Sequence, residues 1–183
     1  SHELCYATAD APTGPFAYGG TLVSNADLGL TDHVRYFTGN NHGSIEQIDG
    51  RWYVFYHRHT NATSYSRQGC LEPITIRPDG SIPQVAITSC GPNGGPLPAG
   101  EYPAAIACNL YLTKPPVVNA EAGQNPFPHI TQDDPDAADP TQGRDSSYIA
   151  TLTEGVVVGY KYFDCRGVTA LAVKARGMCY GAK

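Results

Sequence analysis

The sequence predicts an all-β fold, and three observations carry that expectation. Turn formers and tyrosines are abundant and charge is scarce: Gly 20, Pro 15 and Tyr 12 stand against Met 1, and only 16% of the 183 residues are charged. Aromatic and β-branched side chains suit a pleated surface, and Gly and Pro suit tight connections. Short apolar runs recur between turn signals, whereas the 3.6-residue period of an amphipathic helix does not.

Taken in order, residues 3–9 (ELCYATA) and 17–24 (AYGGTLVS) are strand candidates on either side of the turn PTGPF. Residues 26–41 form a polar loop. GSIEQI (43–48) and RWYVFYHRH (51–59) are joined by Asp49-Gly50, the strongest short-range hairpin signal. A loop leads to CLEPITI (70–76), the turn RPDGS and IPQVAITSC (82–90). From Gly43 to Ser89 this makes four strands in succession, the size of one propeller blade. The first two strands are then the remnant of a preceding blade. In residues 51–59, Trp52, Val54, Tyr56 and Arg58 share one face. Arg51, Tyr53, Phe55, His57 and His59 share the other. Large rings on both faces predict burial on both sides.

Beyond residue 90 the texture changes. CGPNGGPLPAGEYP reads as a linker, AAIACNLYLTK as a strand, and residues 115–147 as a long acidic loop. YIATL, GVVVGYKYFDC and ALAVKARG are further strands, spaced as in part of a β-sandwich. The chain begins and ends close to strand-like runs, so a fragment of a longer protein is expected.

Several function classes are disfavoured at once. A net charge of -5 offers no basic patch for phosphates, so no nucleic acid partner is expected. No apolar run of about eighteen residues exists to span a membrane. The six cysteines contain no CxxC pair, which disfavours a zinc ribbon. Folding at Asp79-Gly80 sets Cys70 opposite Cys90, either as a disulfide or as two buried thiols. Asn61-Ala62-Thr63 is a glycosylation triplet.

The candidate chemistry is concentrated in GNNHGSIEQIDGRWYVFYHRH. His42 sits in a polar turn with no burial pattern. His57 and His59, two apart on a strand, are ordinary packing groups, or with His42 a zinc site. The carboxylates Glu3, Asp10, Asp27, Asp32, Glu46, Glu72 and Asp79 include no evident acid–base pair. Glu72 is a candidate ion-pair partner of Arg67. Arg67, at a strand entry, can hold a carboxylate or sugar hydroxyls in its planar fork.

LCYATADAPTGPF, residues 39–84 and EYPAAIACNL resemble the C-terminal part of glycoside hydrolase family 43, in its arabinofuranosidase and xylosidase branch. PFPHITQDD and SSYIATLTEGVVVGYKYFDCRG resemble the start of a family 6-type carbohydrate-binding sandwich. The resemblance implies the last blades of a five-bladed β-propeller over residues 1–98, then a partial jelly-roll sandwich over 99–183. It implies inverting hydrolysis of arabinoxylan or xylan by a secreted or periplasmic enzyme. The acidic trio is expected upstream of Ser1, leaving no catalytic residue in this chain. His42 matches a histidine that helps hold a metal ion, often Ca2+, at the propeller centre. Arg67, with Asn41 and His42, matches substrate-binding positions. The rival readings are a non-catalytic sugar binder using Tyr148, Tyr160, Tyr162 and Phe163, the zinc enzyme, and a structural β-protein.

Overall fold

A computed structural model describes residues 3–61, 65–112, 127–131 and 147–175. It is all-β, with three one-turn 3₁₀ segments at Asn25–Asp27, Gly91–Asn93 and Ala104–Ile106. Strands β1 (Leu4–Thr8) and β2 (Ala17–Val23) form an antiparallel pair. Strands β3 (Gly43–Ile48), β4 (Arg51–His59) and β5 (Arg67–Ile74) form a meander with β4 in the middle. Then β6 (Asn109–Leu112) pairs with β9 (Val156–Gly159), and β7 (His129–Thr131) with β8 (Tyr148–Ala150).

The Asp49-Gly50 turn forms as expected. Both residues have positive φ, 49° and 78°, the requirement of a type I′ turn whose twist matches its strands. The RPDGS turn also closes, with the Gly80 N–H donating to the Arg77 carbonyl at 2.9 Å. The fourth strand does not follow it. Segment 82–89 spends its N–H groups elsewhere: Val85 on the Leu22 carbonyl, Ile87 on Asp27 Oδ1 and Thr88 on Glu72 Oε1. The sheet therefore has three strands. Cys90 is carried away from Cys70, and both are free thiols. Cys90 lies instead against the Lys161 and Tyr162 carbonyls.

Two further expectations are corrected. Residues 170–175 form no strand, and Leu171 and Val173 are largely exposed. A short strand, β7, stands where a loop was expected; most of residues 113–146 lie outside the described residues, as do Ala62, Thr63 and Cys179.

One face of β4 is the core face: Val54 is 0% exposed, Tyr56 4% and Arg58 3%. Val54 and Tyr56 pack with Leu22, Val23, Ile74, Ile87 and Cys108. Each fully buried aliphatic side chain contributes about 1.5–3 kcal/mol. The other face is mixed. Tyr53 and His59 are buried, but Phe55 is 37% exposed, so β4 is not covered on both sides along its length. A second cluster joins Ala26, Tyr36 and Phe37 to Ala105, Leu110 and Ile130. Residues before and after position 98 thus share both clusters.

Candidate functional site

The pairing of β4 with β5 places His59 opposite Arg67 and His57 opposite Gly69. His42, just ahead of β3, meets the same corner. The His57 backbone N–H donates to the His42 carbonyl at 3.2 Å. Their rings lie 5.2 Å apart, tilted by 40°. His42 and Arg67 are exposed and His57 is half-buried between them.

Burial, then the neighbouring Arg67 and His42, hold the His57 imidazole below its usual value. It is therefore neutral at pH 7. Its Nε2 is shielded from solvent and has no hydrogen-bond partner among the described residues. A packing role leaves that nitrogen unexplained, because an unmet buried polar atom costs about 1–3 kcal/mol.

The loop that presents His42 is pinned from below. Asn25 Nδ2 donates to the Gly39 and Asn40 carbonyls at 2.9 and 3.2 Å. Asn40 takes φ 45°, a conformation that Asn tolerates, and its side chain meets His59 Nε2 at 2.5 Å. A Cβ on Gly39 would stand 2.8 Å from His59 Cε1, so glycine is needed where the loop crosses that ring. Asn41 turns inward: it is 7% exposed and its Nδ2 donates to the Val23 carbonyl at 3.4 Å. Asn25 and Asn40 carry this geometry; Asn40 was marked in the sequence only by its place in a polar loop, and Asn25, between that loop and the strand before it, was not marked at all.

Metal chemistry finds little support in these residues. No group of three His, Cys, Asp or Glu side chains converges among the described residues. His59 is turned to Asn40, which separates it from His42 and His57 and removes the three-histidine zinc reading. Calcium takes six to eight hard oxygen ligands. The side chains facing His57, Arg67 and His42 are a cation and an imidazole. The described residues by themselves do not fit a calcium ion at His42.

The buried carboxylates are structural. Asp27 is 1% exposed, accepts the Ile87 N–H at 2.7 Å and pairs with Lys161 Nζ at 2.7 Å. Glu72 accepts the Thr88 N–H at 2.6 Å, the Thr88 hydroxyl at 2.8 Å and the Tyr56 hydroxyl at 3.4 Å. Desolvation still raises its pKa, with the Thr88 and Tyr56 bonds opposing. The expected pair with Arg67 is not made. The two lie five positions apart on the strand, an odd offset, so they point to opposite faces.

Arg58 is the other buried charge. Its guanidinium donates to the Ala107 carbonyl at 2.6 Å and to Gln68 Oε1 at 2.8 Å. It also lies 4.3 Å from the centroid of the Tyr36 ring, within cation–π range. Burial pushes the Tyr36 phenol up to about 12. Of the proposed sugar-binding rings, Tyr160 and Tyr162 are 41% and 54% exposed. Phe163 is in edge contact with Tyr102 and Tyr160.

No protein-family model matches the chain. Known proteins do. The chain resembles in part a family 43 enzyme of Xanthomonas citri solved with xylose: 31% identity, 46% of this chain, 23% of that one, TM-score 0.37. It likewise resembles a family 43 arabinoxylan arabinofuranohydrolase of Bacillus subtilis solved with cellotetraose: 25% identity, 59% of this chain, 23% of that one, TM-score 0.40. A xylosidase/arabinosidase of Thermoclostridium stercorarium is 51% identical over 98% of this chain. The chain is thus a sequence relative of that xylosidase/arabinosidase along nearly its whole length, and it spans 39% of it.

Proposed function

We propose that this chain is part of a secreted or periplasmic glycoside hydrolase that removes arabinofuranosyl or xylosyl units from arabinoxylan by inverting hydrolysis. The observation that carries the reading is the 51% identity to a xylosidase/arabinosidase, sustained over 98% of the chain. The corner at the end of β4 is consistent with it. An exposed Arg67 offers a planar fork of donors to sugar hydroxyls or to a catalytic carboxylate. His42 stands exposed near it, and Asn41 anchors the loop that carries His42. His57, being neutral, adds no charge to the corner.

In this reading residues 1–98 belong to a five-bladed propeller and residues 99–183 open a carbohydrate-binding sandwich packed against it. The acid and base come from segments of the protein outside the stretch matched here. They stand roughly 6.5–9.5 Å apart, leaving room for the attacking water. The test is pentose release from arabinoxylan by the protein that carries this chain, with the first-formed anomer read by proton NMR. Release of arabinose or xylose with inverted configuration is expected. No pentose release, or retained configuration, contradicts the reading.

A further inference from the structure

The strand that carries Arg67 is gripped from behind. The next residue on β5, Gln68, lies opposite Arg58 on β4, one step along the ladder from the His59–Arg67 pair. Successive residues of a strand project to opposite faces. Arg67 therefore stands on the face of the corner, with His57 and His59, while Gln68 and the buried Arg58 share the face behind it.

Gln68 uses both ends of its amide. Its Oε1 accepts from Arg58 Nε at 3.1 Å and Nη2 at 2.8 Å, and its Nε2 donates to the Ala105 carbonyl at 3.1 Å. A guanidinium only donates and a carbonyl only accepts, so the amide fits one way round. Arg58 also donates to the Ala107 and Cys108 carbonyls, at 2.6 and 3.4 Å. Three carbonyls of residues 105–108 are thereby tied to one cross-strand pair. The residue before Arg67 is tied too. The Ser66 carbonyl accepts the Thr60 N–H at 3.1 Å, and the Thr60 carbonyl accepts the Ile130 N–H of β7 at 2.8 Å. Arg67 stands between two residues that are both linked to segments beyond position 98.

We infer that Gln68 is a positioning residue: with Arg58 it braces the Arg67 strand entry against residues 105–108. The part of the molecule beyond position 98 then helps set where the Arg67 guanidinium stands. The role given to Arg67 rests on the proposed function, but the brace itself does not depend on hydrolysis. A misplacement of about 1 Å in a group that meets the substrate can cost about 10²-fold in rate.

The test uses the protein that carries this chain, with Gln68→Met, which keeps the length of the side chain and removes both ends of the amide. Two quantities are read. One is amide hydrogen exchange at residues 66–69. The other is kcat/KM for pentose release, in the wild-type and Arg67→Ala backgrounds. Exchange should be about tenfold faster in the variant, as expected of a locally loosened strand. With Arg67 present, kcat/KM should fall about tenfold or more. With Arg67→Ala it should fall little further, because a residue that acts through another loses its effect when that other is gone. Gln68→Asn, a methylene shorter, keeps the amide without the reach and should act alike; it stands in if Gln68→Met does not fold. Unchanged exchange overturns the brace. An unchanged kcat/KM, or an equal fall in both backgrounds, overturns the positioning role. Faster exchange in a protein that releases no pentose upholds the brace and sinks the proposed function. Pentose release with unchanged exchange does the reverse.

Discussion

Arg67 and His57 carry the sharpest residue-level consequences. The pKa of His57 lies below 6.5 because its ring is partly desolvated and faces Arg67 and His42. Its depressed value means that the folded state resists protonation. Stability from this group is therefore full above pH 6.5 and falls as pH drops through the folded pKa. An NMR titration of the imidazole should find its midpoint below 6.5, and Arg67→Ala should move it upward. A midpoint at or above 6.5 would remove Arg67 from its surroundings. Glu72 has the opposite sign. Its folded pKa is raised above 4.5, chiefly by desolvation, so the folded state holds the proton more tightly. Stability is full below about pH 4.5 and declines as pH rises through the folded value. Across that window the melting temperature of Glu72→Gln relative to the wild type should therefore rise with pH; a difference that stays constant with pH would show that Glu72 does not titrate in this way.

At the scale of elements, much of the meander was legible and its end was not. Alternation in residues 51–59 sorted the side chains into two faces, but it predicted both buried, whereas only the face of Val54, Tyr56 and Arg58 is buried along that stretch. Asp49-Gly50 located the hairpin, because few other pairs take positive φ twice in succession. The fourth strand failed for a physical reason. Ile87 and Thr88 donate to the side chains of Asp27 and Glu72, which lie 60 and 16 residues away. Local propensity cannot see such acceptors. The His42–Arg67 corner was only half legible. Family resemblance singled out the two ends, whereas His57, read as structural, stands between them with a nitrogen that no described residue meets. The loop at Gly39 and Asn40 is an element whose shape depends on one close approach. Gly39→Ala would drive a methyl against His59, and we expect a loss of about 1–3 kcal/mol, measured by urea unfolding. A neutral result would mean that the loop can lift from the ring.

The whole molecule is stitched across position 98 by buried charge. Lys161 reaches Asp27 over 134 residues of sequence, and Arg58 binds the carbonyls of Ala107 and Cys108. Removing Lys161 strands a carboxylate that is 1% exposed. Lys161→Met should cost about 3–5 kcal/mol, and adding Asp27→Asn should restore part of it, a coupling that a double-mutant cycle reads directly. Independent, additive losses would dissolve the link between the two halves. The central claim concerns function, namely that this chain lends Arg67 to a pentosidase. The most direct measurement is kcat/KM for pentose release from arabinoxylan by the protein that carries this chain, wild type against Arg67→Ala. A lost charge-assisted contact of roughly 2–5 kcal/mol predicts a fall of about 30-fold to several thousand-fold. An unchanged kcat/KM would contradict the account, since the exposed guanidinium at the His42 corner would then play no part in the reaction.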